Sequence, residues 1–367
     1  MSNFIRYYFR SLAVIATLLL WGTSVWNGTV KALLLAVLNG RMSDNVPLET
    51  KFTGIPLIDL PIALLVAFFY YGTNGQDAGY NYFLVDAYST LQSAFVWLYM
   101  EMAREGQKPK WVANPIVFGI LWQCFGAAIS LPLYYSIHLP WALVADLGGR
   151  SVASPRDAQA IQISFLFGAL CPAVVGMLPT WLGPVYRSAR QHQIVLAVWQ
   201  PDPFWVSAIY ALVSGFGPLT SPRARQSTRH SYPWVRATYV LAAVCSAAGH
   251  LCTVAQMINS SGEPKLGLTH MYMPSFTGPS ETTNILTSGP RLFLQYDLVI
   301  IAISSLSWAF LLCRSALEMR AWQQIRLAFC MMLGALVIGP GATVSLVLLV
   351  REAAVHRRCE LRLGKSS

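Results

Sequence analysis

Four carboxylic acids sit inside long apolar runs of this chain: Asp59, Asp86, Glu101 and Asp297. The rest of its 16 Asp and Glu residues read as members of loops and tails. A charge at mid-bilayer costs roughly 2.5–3.5 kcal/mol even on lenient insertion scales, so an acid at that depth faces a bundle interior and is a functional candidate. Burial disfavours an ionised carboxyl. One that holds its proton in an apolar cavity is a Brønsted acid for a substrate that must be protonated to react.

Asp297 is the leading candidate for that general acid. It lies about two turns past Arg291, with Gln295 and Tyr296 beside it and Ser304 and Trp308 further along the run. The spacing does not place Arg291 and Asp297 on one face. Asp59, in Leu57-Ile58-Asp59-Leu60-Pro61, is the expected partner of the acid, with capping of a helix start as the competing role. Asp86, Ser89, Ser93, Trp97 and Glu101 recur at three- and four-residue spacing and share one helix face, leaving Leu84, Leu91, Phe95 and Leu98 to face lipid. That stripe offers Asp86 or Glu101 as a second acid or terminal base. Interhelical hydrogen bonding is its structural alternative, and Glu101, beside Arg104 and Glu105, could instead be solvated at the interface.

Trp97, Trp122, Tyr296 and Trp308 lie inside runs near these acids, and His250 is deep in another run with Ser246 and Thr253 on its face. Aromatic faces attract cations by roughly 2 kcal/mol when desolvated. A cavity with a proton donor and such walls suits carbocation chemistry, with these five residues against the substrate. The competing roles are interfacial aromatic belts for the rings and structural hydrogen bonding for His250.

Composition dictates what positions these residues. The chain has 367 residues, 55% hydrophobic and 11% charged, with a mean hydropathy of +0.48. An average soluble domain is roughly 25% charged, so there are too few charges here to cover a water-soluble core. That excludes disorder, a disulfide scaffold and an ordinary cytosolic enzyme. The predicted fold is all-α: one integral membrane domain over 1–367, a bundle of seven to nine spanning helices. The candidate runs are 11–30, 55–72, 80–102, 112–135, 161–183, 203–219, 236–258, 291–313 and 325–350. Pro201-Asp202-Pro203 breaks the approach to the sixth, which predicts an interfacial helix over 187–200.

The net charge of +10 is spread in small groups such as Arg104, Lys108, Lys110 and Arg223, Arg225, Arg229. These are membrane flanks that meet lipid head groups, and no nucleic-acid partner is expected. Six of the seven cysteines fall in or beside apolar runs without a CxxC pair, as packing residues do. The loop 259–290 carries the sequon Asn259-Ser260-Ser261 and reads as lumenal and glycosylated. Under nine spans this conflicts with a basic, cytosolic C-terminal tail, and one misjudged segment would reconcile the two. No DDxxD, DxDD, P-loop, dinucleotide fingerprint or GxSxG elbow is present. No metal or cofactor is therefore expected, since chemistry that must grip phosphate or a nicotinamide needs such a motif. A transporter or receptor-like protein with acids along an ion or substrate path remains the alternative reading.

Two stretches carry a resemblance: Thr53-Gly54-Ile55-Pro56-Leu57-Ile58-Asp59 running into Val66-Ala67-Phe68-Phe69, and Gln191-His192-Gln193 followed by Ala197-Val198-Trp199-Gln200. With the length and layout, the chain resembles the fungal integral-membrane terpene cyclases of meroterpenoid and indole-diterpene pathways, the longer ascofuranone- and macrophorin-type members above all. The resemblance implies a metal-free cyclase that protonates a terminal epoxide or alkene on a prenyl chain, in secondary metabolism. It also implies a multi-pass protein of the endoplasmic reticulum, with a lipophilic prenylated substrate, the bilayer and other pathway enzymes as partners.

Overall fold

The computed structural model describes residues 2–43, 45–104, 106–147, 153–182, 186–215, 228–260, 266–274 and 284–363. Arg223 and Arg225, Ser261 of the sequon and much of the loop 259–290 lie outside the described residues. Among the described residues the regular structure is helical, with a single isolated β-bridge between Arg41 and Pro47.

The chain opens with α1 (Asn3–Trp26) and α2 (Thr29–Asn39), then α3 (Pro56–Thr73) and α4 (Ala78–Ala103). Next come α5 (Ile116–Phe125), α6 (Ala127–Leu147) and α7 (Pro155–Met177). The short α8 (Ala189–Trp199) and α9 (Asp202–Gly215) precede the long α10 (Thr228–Asn259). The last elements are α11 (Leu268–Tyr272), α12 (Ile285–Leu317), α13 (Ala321–Val337) and α14 (Pro340–Leu363). Among the described residues, six helices are long and apolar enough to cross a membrane: α1, α3, α6, α7, α10 and α12. α2, α5 and α13 are apolar but shorter.

Local chemistry sets the helix starts. Pro56 stands in the first turn of α3, where its missing N–H costs nothing. The side chains of Asp77, Ser188 and Asn284 cap α4, α8 and α12 by accepting from Tyr80, Gln191 and Leu286 amides. At Ser188 the Gln191 side chain reciprocates, completing a capping box. Two of the predicted runs are each broken by a glycine. Gly126 (φ +101°) separates α5 from α6, and Gly339 (φ +89°) separates α13 from α14. Side chains at such φ are strained, so these glycines let an apolar run change direction inside the bundle.

α4 is the central post. It packs against α3, α7, α10, α11, α12 and α14, and 20 of its 26 residues are buried. This corrects the expected lipid face: Leu84, Phe95 and Leu98 are buried and Leu91 is half-buried. With neighbours on every side, the polar stripe of α4 marks contacts to specific partner helices rather than a boundary with lipid.

Candidate active site

The break at Gly126 builds one corner of a cavity. Because α6 starts afresh at Ala127, its first amides have no helical acceptor. The Ala128 N–H donates instead to Asp297 Oδ1 at 2.8 Å. The same break frees the Phe125 carbonyl, which accepts from Trp21 Nε1 at 2.9 Å. A Cβ on Gly126 would stand 2.7 Å from Leu20 and 3.1 Å from Asp297 Oδ1. Only glycine fits both the backbone and the space. Trp21 itself sits in a π-helical turn (Leu18–Gly22) of α1, a geometry common at functional sites.

Asp297 is 5% exposed and lines a cavity walled by Trp21, Phe68, Phe69, Tyr88, Trp122 and Phe293, whose empty space, its mouth included, is about 670 Å³. Phe293 meets Trp21 and Phe68 edge-on, and Trp122 meets Phe95 in the same way, which fixes the ring faces. The Asp297 carboxyl is held by the start of α6, through the Ala128 amide on Oδ1 and the neighbouring Ala127 amide.

A second carboxyl stands behind this wall, in Pro201-Asp202-Pro203, a segment that reads as a loop in the sequence. Asp202 opens α9 and is 2% exposed. Two glycines bring it inside: a Cβ on Gly119 would be 2.6 Å from Pro203, and one on Gly168 2.7 Å from the Val206 amide. One turn beyond Gly119, Gln123 donates to Asp202 Oδ1 at 2.6 Å, and Gln92 donates to Oδ2 at 3.2 Å. Gln123 and Tyr88 both line the cavity. The available signal was the pair of glutamines: an amide inside an apolar run needs a buried partner.

The other three acids are held elsewhere. Asp59 accepts from the Thr53 amide (2.7 Å), the Thr53 hydroxyl (2.8 Å) and the Phe52 and Gly54 amides, so it ties down the loop before α3. Asp86 pairs with His250 Nδ1 at 3.0 Å and accepts from the Tyr272 hydroxyl at 2.5 Å. His250 Nε2 faces the Leu336 carbonyl at 3.2 Å, so both ring nitrogens meet acceptors, which suits an imidazolium. Glu101 is fully buried, not solvated. It accepts from Arg104 (2.9 Å), Arg351 (2.5 Å) and His138 (2.9 Å), and Arg104 also pairs with Glu352. Arg291 lies near Asp77 (3.7 Å) and hydrogen-bonds His270 instead of reaching Asp297.

Of the five expected binding residues, Trp122 lines the cavity. Trp97 donates to Ser345 at 2.9 Å. Trp308 donates to His138 Nδ1 at 3.0 Å and stacks on Tyr135. Tyr296 is buried in the core of α12 and is not in the cavity wall. These indoles were singled out by depth, but depth does not reveal which side of a surrounded helix meets empty space.

Beneath α8, the buried His192 reaches Thr73 at the end of α3 (2.8 Å). Burial, and then the charge of Arg187, lower its ring to about 4. Asp77, outside the spans, loses solvent on burial, yet hydrogen bonds from His270 and the Tyr80 amide and the charge of Arg291 outweigh that and hold it below the usual carboxylate range.

Comparison with known proteins places this geometry in a lineage. Terpene cyclase DEP1 of Fusarium langsethiae is 25% identical over 358 residues, covering 92% of this chain and 95% of its own. Terpene cyclase ascI of Acremonium egyptiacum is 26% identical over 315 residues, covering 83% and 80%. Terpene cyclase sdgD of Emericella nidulans is 23% identical over 362 residues, covering 97% and 96%. No solved structure matches. The CtvD domain matches residues 5–356, nearly the whole length, and its span takes in Trp21, Trp122, Asp202 and Asp297: the chain belongs to the CtvD family.

Proposed function

We propose that this protein is a membrane-embedded terpene cyclase in which Asp297 protonates a terminal epoxide or alkene of a prenyl chain. The observation that carries the reading is a buried carboxyl, held by the backbone amides that open α6, in the wall of an aromatic-lined cavity. Proton transfer from this carboxyl to the substrate starts the cation, and successive double bonds attack it to close rings. Trp21, Trp122 and Phe293 offer their faces to the migrating charge and keep water from quenching it. Loss of a proton at the last centre restores charge balance, so the overall change is an isomerisation that needs no metal. The substrate, a prenylated aromatic or linear prenyl epoxide, comes from the bilayer of the endoplasmic reticulum, where α4, α9 and the α13–α14 run bring the six long helices to a bundle of seven to nine membrane segments. Other enzymes of a secondary-metabolite pathway supply the substrate there.

A transport function is the weaker reading. The remaining span acids are committed to separate partners, a loop for Asp59 and other helices for Asp86 and Glu101, rather than strung along one path.

The test is expression in yeast microsomes supplied with prenylated epoxides, comparing wild type with Asp297→Asn. A general acid contributes about 10²–10⁴-fold, so cyclised product should fall at least 100-fold while the variant still inserts and melts normally. Unchanged product would remove Asp297 from the chemistry.

A further inference from the structure

The carboxyl of Asp202 has an arrangement unlike that of the other buried acids. Glu101 is matched by two arginines, Asp86 by His250, Asp59 by a ring of backbone amides, and Asp297 by a helix N-terminus. Asp202 receives two neutral side-chain amides, and among the described residues no Lys, Arg or His forms an ion pair with it. Both amides present N–H groups, one to each oxygen, the pattern that suits an ionised carboxylate. A buried charge without a counter-ion is costly, because neutral donors replace only part of its hydration.

Such a cost is tolerated where the missing positive charge arrives during the reaction. We propose that Asp202 is a positioning residue of the cavity whose negative charge, presented through Gln123, is the counter-charge for a cation formed beside Asp297. Asp297 and Asp202 then divide the work: one gives the proton that creates positive charge, the other makes the site complementary to that charge once it exists. Tyr88 lines the same cavity, its ring held by Phe69 (5.7 Å) and Trp199 (4.8 Å). Gln92 locks the far oxygen from the central helix α4. The assignment deepens the cyclase reading and rests on it for the identity of the cation. The charge complementarity itself can be measured without turnover.

The full-length protein in detergent would be titrated with a protonated tertiary amine carrying a prenyl-length chain, and with its neutral hydrocarbon isostere, following tryptophan fluorescence. Wild type should prefer the ammonium at least tenfold. Asp202→Asn, which keeps the shape, should bring the preference within twofold, and Asp202→Glu should retain most of it. In turnover, Asp202→Asn should lower kcat more than tenfold with KM within threefold, and should raise the share of prematurely quenched, partly cyclised products. A cation preference that survives Asp202→Asn, or that wild type lacks, overturns the assignment. Should Asp202→Asn not fold, Gln123→Met must lower the preference at least threefold, and no change there overturns it equally. A wild type that prefers the ammonium but cyclises no prenyl substrate would sink the cyclase reading while leaving the counter-charge standing.

Discussion

At the scale of single residues, the buried acids separate by what they touch. Glu101 joins Arg104, Arg351, His138 and Glu352 in a knot that pins α4, α6 and α14 together. Breaking a buried ion pair from one side typically costs about 3–5 kcal/mol, because the remaining charges stay buried without compensation. Glu101→Gln should therefore lower the thermal unfolding midpoint sharply in detergent. A variant that melts normally yet has lost turnover would return Glu101 to the chemistry. The knot also explains why Trp308 is not a cavity wall: its indole N–H donates to His138 Nδ1, leaving Nε2–H for Glu101 and so fixing the neutral tautomer. In the sequence, Glu101 and Asp297 look alike, each an acid in an apolar run near an arginine. Arg351, 250 positions away, separates them.

At the scale of elements, glycine breaks and helix ends determine the site. Gly126→Ala would be strained at φ +101° and would press on Leu20 and the Asp297 carboxyl. Holding a non-glycine residue in such a region costs on the order of 1–3 kcal/mol, so both stability and turnover should fall. Gly339→Ala is the contrast. It is comparably strained and meets His250 at 2.9 Å, so it should destabilise without changing the pattern of cyclised products. Helix α8 supplies a pH-dependent prediction. His192 titrates near 4 in the folded protein against an ordinary value of 6.5, so folding favours its neutral form. The stability it contributes is fully present above pH 6.5 and is lost as pH falls from 6.5 towards 4. Melting midpoints measured across that window should drop in wild type, and the slope should flatten in His192→Gln. An unchanged slope would show that another group governs it. The break of an otherwise apolar run at Gly126 was not legible in composition, because a glycine is as apolar as its neighbours and only its φ reveals the turn.

At the scale of the whole molecule, the outward faces match an apolar solvent. Trp26 is 78% exposed, and α13 presents Trp322, Ile325, Phe329 and Leu336 outward. In bilayers of brominated lipid these two indoles should be quenched by the acyl chains, while Trp97 and Trp308, at 0% exposure, should not. The quenched fraction should shrink in a Trp26→Phe/Trp322→Phe variant, and an identical fraction there would count against this membrane-facing surface. The sequence by itself determined that the protein is helical, that it is too poor in charge for water, and that Asp297 and Trp122 lie deep in it. Depth, hydropathy and helical period are properties of a segment alone, set by solvent and backbone geometry. The tertiary structure decided which acids are neutralised and which face empty space. It set Asp59 among the amides of a loop, gave Asp86 and Glu101 ion-pair partners, and brought Asp202 in from an apparent loop, through the glutamine clamp that close approach at Gly119 and Gly168 permits. The physical reason is that a buried charge is satisfied by whatever lies within about 3 Å of it, and that neighbourhood is assembled from helices remote in sequence.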